Sequence, residues 1–170
     1  GRIPLFDTLC ISFGTAGTGG FGIVNDSMGS YSTYCQVVTT IFMILFGVNF
    51  SAYYLLLTKK FVQAFKFEEV RYYFGIILAA ILVIGLNTAH LFRNLGEAFQ
   101  QAAFQVGSII TTTGFSSTDF SQWPSLSKTI LVLLMFVGAC AGSTGGGIKV
   151  SRIIILVKAS LREINSYLHP

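Results

Sequence analysis

The chain has 170 residues, of which 52% are hydrophobic, 14% aromatic and only 11% charged, with a mean hydropathy of +0.68. Soluble domains carry about a quarter charged residues, so this composition places the chain in a lipid bilayer and argues against a soluble enzyme. The formal charge of +4 is modest, no nucleic-acid partner is expected, and the placement of the charges matters more than their sum.

Residues 4 to 16, PLFDTLCISFGTA, are too short to cross a hydrocarbon core that needs about 20 apolar residues, and they suit a re-entrant half-helix. The run from Gly17 to Gly22, GTGGFG, formally matches the dinucleotide fingerprint. That fingerprint needs a preceding strand and an acid about 20 residues on, whereas the apolar run Val37 to Leu45 stands there instead. Tyr34 to Leu57 then reads as one membrane span interrupted by Gly47, Asn49 and Ser51, which are expected to let neighbouring helices approach and hydrogen-bond. The Asn49-Phe-Ser51 sequon lies within that span, out of reach of glycosylation.

Lys59, Lys60, Lys66 and Arg71 cluster in one connection beside Glu68 and Glu69, and the positive-inside rule assigns it to the cytoplasm. The next span is Tyr72 to Phe92. His90 near its end is expected to be a packing or interface residue rather than a ligand, and Arg93 with Glu97 is expected to form an ion pair at spacing i, i+4. Leu95 to Ile110 reads as a second half-helix, roughly 24 Å long, whose carbonyl end favours a cation at the loop Thr111 to Ser117. Trp123 beside Pro124 suits a membrane interface.

Thr129 to Val157 is the last span. It carries five glycines in the ten residues Gly138 to Gly147, each costing a helix about 1 kcal/mol, so regular helix is not expected there. Freed carbonyls in such a segment have to face protein or a cavity, which marks binding or gating regions. Lys149 has two readings, a gate residue paired with carbonyls or an anchor reaching the inner surface with Arg152. Gly147 is followed by Ile148, Lys149 and Val150, so the segment is not a Walker A loop. Cys10, Cys35 and Cys140 are odd in number, lack metal-ligand spacing and are expected to be inert.

A diverged repeat of about 94 residues runs through the chain, pairing Gly20-Phe21 with Gly114-Phe115, Thr18 with Thr112, Ser143 with Asn49 and Gly145 with Ser51. Each Thr/Gly loop is expected to supply one wall of an ion filter in which backbone carbonyls replace the water shell of potassium, with glycine turning successive carbonyls toward one axis. With no initiator Met or signal peptide, and an opening inside a repeat unit, the sequence reads as a piece of a longer polypeptide.

GSIITTTGFSSTDFSQWP followed by GACAGSTGGGIKVSRIIILVKASLREI resembles the Trk/Ktr/HKT superfamily of potassium uptake proteins, and within it the bacterial TrkH-type membrane subunits. The resemblance covers essentially the whole chain. It implies an all-α polytopic membrane protein built as a pseudo-fourfold pore of helix, re-entrant pore helix, filter loop and helix repeats. Residues 1–64 would be the later part of the second repeat, 65–71 a cytoplasmic basic loop, 72–162 the third repeat and 163–170 a cytoplasmic tail. The implied ion-binding residues are Thr18, Gly19, Gly20, Thr111, Thr112, Thr113 and Gly114, with potassium at Thr18, Gly19, Thr112 and Thr113. The implied gate loop is Gly142, Ser143, Thr144, Gly145, Gly146 and Gly147, with Lys149 beside it.

Potassium is then substrate, no cofactor is expected, and the activity is potassium uptake rather than an enzyme reaction. Alternatives are sodium-coupled Ktr-type potassium transport, a nucleotide-using membrane protein and a non-conducting membrane scaffold. The implied partners are the remaining repeats of the same polypeptide, a second copy in a homodimer, a cytosolic nucleotide-binding TrkA-like subunit and the bilayer. The implied location is the bacterial inner membrane, multi-pass, with filter loops outside and Lys/Arg-rich loops inside.

Overall fold

The computed structural model describes residues 3–60 and 67–168. Lys66 and part of the basic connection lie outside them. Among the described residues seven α-helices follow in order: α1 (Leu5–Ala16), α2 (Thr33–Phe46), α3 (Phe50–Leu57), α4 (Glu68–Thr88), α5 (Leu95–Ile110), α6 (Ser125–Val137) and α7 (Val150–Leu168). Single 3₁₀ turns, Ala89–Leu91 and Phe120–Gln122, follow α4 and precede α6. There is no strand among the described residues.

Helix α4 with its 3₁₀ extension, Glu68–Leu91, is 24 residues long and apolar enough to cross a bilayer. At 1.5 Å per residue it reaches about 36 Å. Its two faces separate cleanly. Tyr73, Ile77, Ala80 and Ile84 are buried, whereas Leu78, Leu82 and Leu86, one turn apart on the other side, are more than half exposed. Lipid is as apolar as leucine, so helices inside a bilayer associate through close packing and hydrogen bonds rather than by escape from water. The contacts on the buried face fit that account. A methyl at Gly85 would lie 2.5 Å from the Phe99 ring, so α4 and α5 touch through a residue with no side chain. Asn87 Nδ2 donates to Ser127 Oγ at 2.9 Å and ties α4 to α6.

Two packed clusters result. The larger joins Tyr73, Ile77 and Ile84 of α4 to Ala102, Val106 and Ile110 of α5 and to Leu131 and Leu134 of α6. The smaller places Phe104 of α5 and Phe115, just beyond it, among Ile11, Met28 and Met43 of the first repeat. Phe104 and Phe115 are therefore the buried aromatics that pack the later part of the chain on the earlier part.

The expected single span Tyr34–Leu57 is instead two helices, α2 and α3, bent by 92°. The sequence gives the physical cause. Gly47 ends α2, and Asn49 caps α3 by accepting the Ser51 amide on Oδ1 at 2.8 Å. A methyl at Gly47 would meet the Tyr73 hydroxyl at 2.2 Å and Thr111 Cγ2 at 2.9 Å. These small and polar residues do make the close approach expected of them, and they also turn the chain. The expected Arg93–Glu97 ion pair is not formed. Asn94 is the N-cap of α5, so Arg93 lies outside the helix and the i, i+4 register that spacing assumes does not exist. The glycine decade interrupts α6 and α7, as its composition predicts.

Candidate functional site

Helices α1 and α5 end in the same way. The Gly17 amide donates to Phe13 O at 2.9 Å, Thr18 to Thr15 O at 3.3 Å and Gly19 to Gly14 O at 2.8 Å. In the second copy Thr111 donates to Gly107 O at 3.2 Å, Thr112 to Ile109 O at 3.0 Å and Thr113 to Ser108 O at 2.9 Å. The backbone follows suit. Thr18 and Gly20 have φ of +49° and +66°, and Thr112 and Gly114 have +58° and +86°. L-residues other than Gly, Asn and Asp seldom enter this region, so a threonine held there in both copies is a shared constraint.

The bonding fixes where the carbonyls go. Gly19 and Gly20 both turn their amides onto Gly14 O, at 2.8 and 3.5 Å, and Thr113 and Gly114 turn theirs onto Ser108 O, at 2.9 and 3.3 Å. In a planar trans peptide the carbonyl of the preceding residue points the opposite way. The oxygens of Thr18, Gly19, Thr112 and Thr113 therefore face away from their helix ends. None of the four accepts a hydrogen bond from another described residue. The loops also abut each other. A methyl at Gly20 would lie 1.7 Å from Thr113 O, so backbone meets backbone there.

Thr111 behaves differently from its neighbours. It is fully buried, its hydroxyl donates to Gly107 O at 2.7 Å and meets Thr113 Oγ1 at 2.7 Å, and its carbonyl accepts from Thr112 Oγ1 at 2.6 Å. It braces the loop from behind.

The glycine decade folds back on itself. Ile148, Lys149 and Val150 donate their amides to Phe136, Val137 and Ala139 at 3.1 to 3.2 Å, so residues 136–139 and 146–150 form a neck and 140–145 a tip. Gly138 and Gly147, with φ of +72° and +81°, touch across the neck at distances that admit no Cβ. The tip lies against both Thr/Gly loops. Thr18 Oγ1 donates to Thr144 O at 2.9 Å, and the Gly146 amide donates to Thr112 Oγ1 at 2.6 Å. The bend of the first repeat joins in, with Cys140 N donating to Gly47 O at 3.0 Å and Phe50 N to Gly142 O at 3.1 Å. Ser143 Oγ donates to Cys140 O at 2.6 Å within the tip. Lys149 turns its ammonium inward onto Gly145 O.

Glu69 escaped the sequence reading, which left it in the basic connection. Its Oε1 accepts the Ala141 amide at 2.6 Å and the Ser151 amide at 3.2 Å, and its Oε2 accepts from Asn49 Nδ2 at 3.5 Å. A signal was present. Positions 69, 73, 77, 80 and 84 share one helical face, so Glu69 continues the buried stripe of α4. On the far side of the loops, Gln36 Oε1 accepts from Gln100 and Gln101 at 3.1 and 3.2 Å, and Gln101 Oε1 accepts from Ser117 Oγ at 2.5 Å.

Apolar outer faces and helices broken at small residues define an all-helical integral-membrane protein. Comparison with known proteins agrees: the model of the TrkH family, described as cation transport protein, matches residues 1–170. The chain belongs to that family. It is 34% identical to the Trk system potassium uptake protein TrkH of Vibrio parahaemolyticus over 97% of its own length and 35% of the relative's. Its identity to the Trk system potassium uptake protein TrkG of Escherichia coli is 33%, over 99% and 35% respectively. The crystal structure of the potassium transporter TrkH from Vibrio parahaemolyticus superposes with a TM-score of 0.90 at 36% identity, covering 97% of this chain and 36% of that one. The chain thus spans about a third of the length of these relatives.

Proposed function

We propose that the loops 17–20 and 111–114 form two walls of a potassium-selective filter, and that the complete protein takes up potassium across the bacterial cytoplasmic membrane. The observation that carries this reading is the set of four carbonyls, Thr18, Gly19, Thr112 and Thr113, turned off their helix ends with no donor among the described residues. Carbonyls left free of protein donors can replace the water shell of a dehydrated cation on the loop axis. Helices α1 and α5 act as pore helices, aiming their negative C-terminal ends at the same place. Two walls do not close a ring, so the other walls come from further repeats of the polypeptide in a pseudo-fourfold arrangement.

The tip 140–145 acts as the gate. It is tied to the inner end of each loop through Thr18 and Thr112, and an ion leaving the loops inward meets it first. Lys149 serves that gate by holding Gly145 rather than by anchoring at the surface. The whole protein works as a homodimer with a cytosolic nucleotide-binding subunit, its Thr/Gly loops facing outside and its Lys/Arg-rich connections inside.

The test is Gly114→Ser in the full-length protein. A methyl at Gly114 meets nothing within 4 Å, so the change adds a side chain at the axis without a clash elsewhere. Discrimination of potassium over sodium should fall about tenfold, equivalent to about 1.4 kcal/mol at the site, with membrane expression unchanged. Unaltered selectivity would rule the filter reading out. Unaltered flux of every ion, with only stability affected, would instead favour a packing module.

A further inference from the structure

The gate tip has a holder that belongs to neither broken helix pair. Glu69 sits in the first turn of α4, half-buried, and its carboxylate reaches three separate chain segments. Ala141 begins the tip, Ser151 lies in the first turn of α7, and Asn49 stands at the bend between α2 and α3. One carboxylate therefore joins both chain breaks. The adjacent Glu68 does something else, pairing with Lys158 of α7 at 2.6 Å on the exposed surface. The Glu69 contacts are not simply a helix cap on α7. The shortest of them, 2.6 Å, goes to Ala141, which is in no helix and whose neighbour Cys140 is completely buried with its amide on Gly47 O.

A carboxylate accepting amide protons forms bonds about twice as strong as those between neutral groups, and removing it leaves two partly buried amides without that acceptor. We propose that Glu69 is the positioning residue that latches the 140–145 tip against the Thr/Gly loops, and that loss of its carboxylate frees the tip. This rests on reading that tip as the gate. The latch explains why an acid sits on the inner face of α4 beside a basic connection: it holds backbone, not a cation.

Cys140 supplies the readout, because it is completely buried in the tip next to Ala141, which Glu69 holds. In the full-length protein, with Cys10, Cys35 and any further cysteine replaced by alanine, the rate of modification of Cys140 by N-ethylmaleimide measures how often the tip departs. Glu69→Ala should speed modification about tenfold and raise rubidium uptake without the regulatory subunit several-fold, with ion selectivity unchanged. Glu69→Gln keeps one accepting oxygen but loses the charge, and should give roughly a threefold increase in modification. Wild-type modification rates in Glu69→Ala, at normal membrane expression, overturn the latch. If Glu69→Ala does not accumulate, Glu69→Gln decides, and wild-type rates there overturn the proposal equally. The two readings fail separately. Unchanged selectivity in Gly114→Ser removes the filter while Cys140 still reports on the latch, and changed selectivity with slow Cys140 modification in both Glu69 variants removes only the latch.

Discussion

The Gly146 amide donates to the Thr112 hydroxyl at 2.6 Å, and that hydroxyl in turn donates to the Thr111 carbonyl at 2.6 Å. One side chain thus fastens Gly146, at the base of the glycine-rich tip, to a Thr/Gly loop. Thr112→Val keeps the shape and deletes the hydroxyl, which strands the Gly146 amide and is expected to weaken the attachment by about 1–3 kcal/mol. The tip should then detach more often. Rubidium uptake by the full-length protein without a regulatory partner should rise, and an unchanged rate would show that the bond has no part in gating.

The repeat-related glycines Gly20 and Gly114 should respond unequally to alanine. Both have positive φ and so bear the same backbone strain of roughly 1–2 kcal/mol. Only Gly20 lies against another chain segment, where a methyl would fall 1.7 Å from Thr113 O. Gly20→Ala is expected to lower the thermal stability of the detergent-purified protein markedly, whereas Gly114→Ala should lose only the roughly 1–2 kcal/mol of backbone strain. Equal shifts would contradict the loop-to-loop contact.

Gly47 and Tyr73 form a testable pair. The Tyr73 hydroxyl donates to Ile44 O at 3.0 Å and occupies the space a Gly47 side chain would need. Gly47→Ala alone should destabilise strongly through overpacking, by about 1–3 kcal/mol. Adding Tyr73→Phe removes the nearest clashing atom and should recover part of the loss, giving a coupling of about 1 kcal/mol in a double-mutant cycle. Strict additivity would mean that α2 has moved away from α4.

Behind the second loop, Gln101 accepts the Ser117 proton and donates to Gln36, both within buried surroundings. Gln101→Met preserves volume and leaves Ser117 without its acceptor, at a cost of about 1–3 kcal/mol. The loop that follows Phe115 should loosen, which faster hydrogen exchange at Ser116 and Ser117 would register. Unchanged exchange there would mean the network does not hold the loop.

The ion pair between Glu68 and Lys158 is a deliberate contrast. Both side chains are about half exposed, so screening leaves the pair worth less than about 1 kcal/mol. Lys158→Met should change thermal stability very little, and a drop of many degrees would show α7 to be held to α4 mainly by that bridge.

The membrane class, the helical breaks at the glycine decade and the irregular backbone of both Thr/Gly loops were legible in the residues, because composition and glycine content act locally on the chain. So was the repeat, which the backbone reproduces bond for bond at positions 17–20 and 111–114. The bend at Gly47 was not legible as a bend. A run of apolar residues reads as a straight span; Gly47 and the Asn49 cap mark the break, but the 92° angle and the close approach of Gly47 to Tyr73 and Thr111 are visible only in the tertiary structure. Arg93 and Glu97 misled because the spacing argument presumes a helix that begins only after Asn94.

By itself, the sequence determined that this chain lives in lipid, repeats a motif, and breaks its helices at two small-residue loops. Only the tertiary structure decided which carbonyls are left without donors, that the tip 140–145 rests on Thr18 and Thr112, and that Glu69 holds it there. The physical reason is range. Propensity and hydropathy act between neighbours in sequence, whereas Glu69 meets Ala141 across 72 residues, a pairing set by how the broken helices pack.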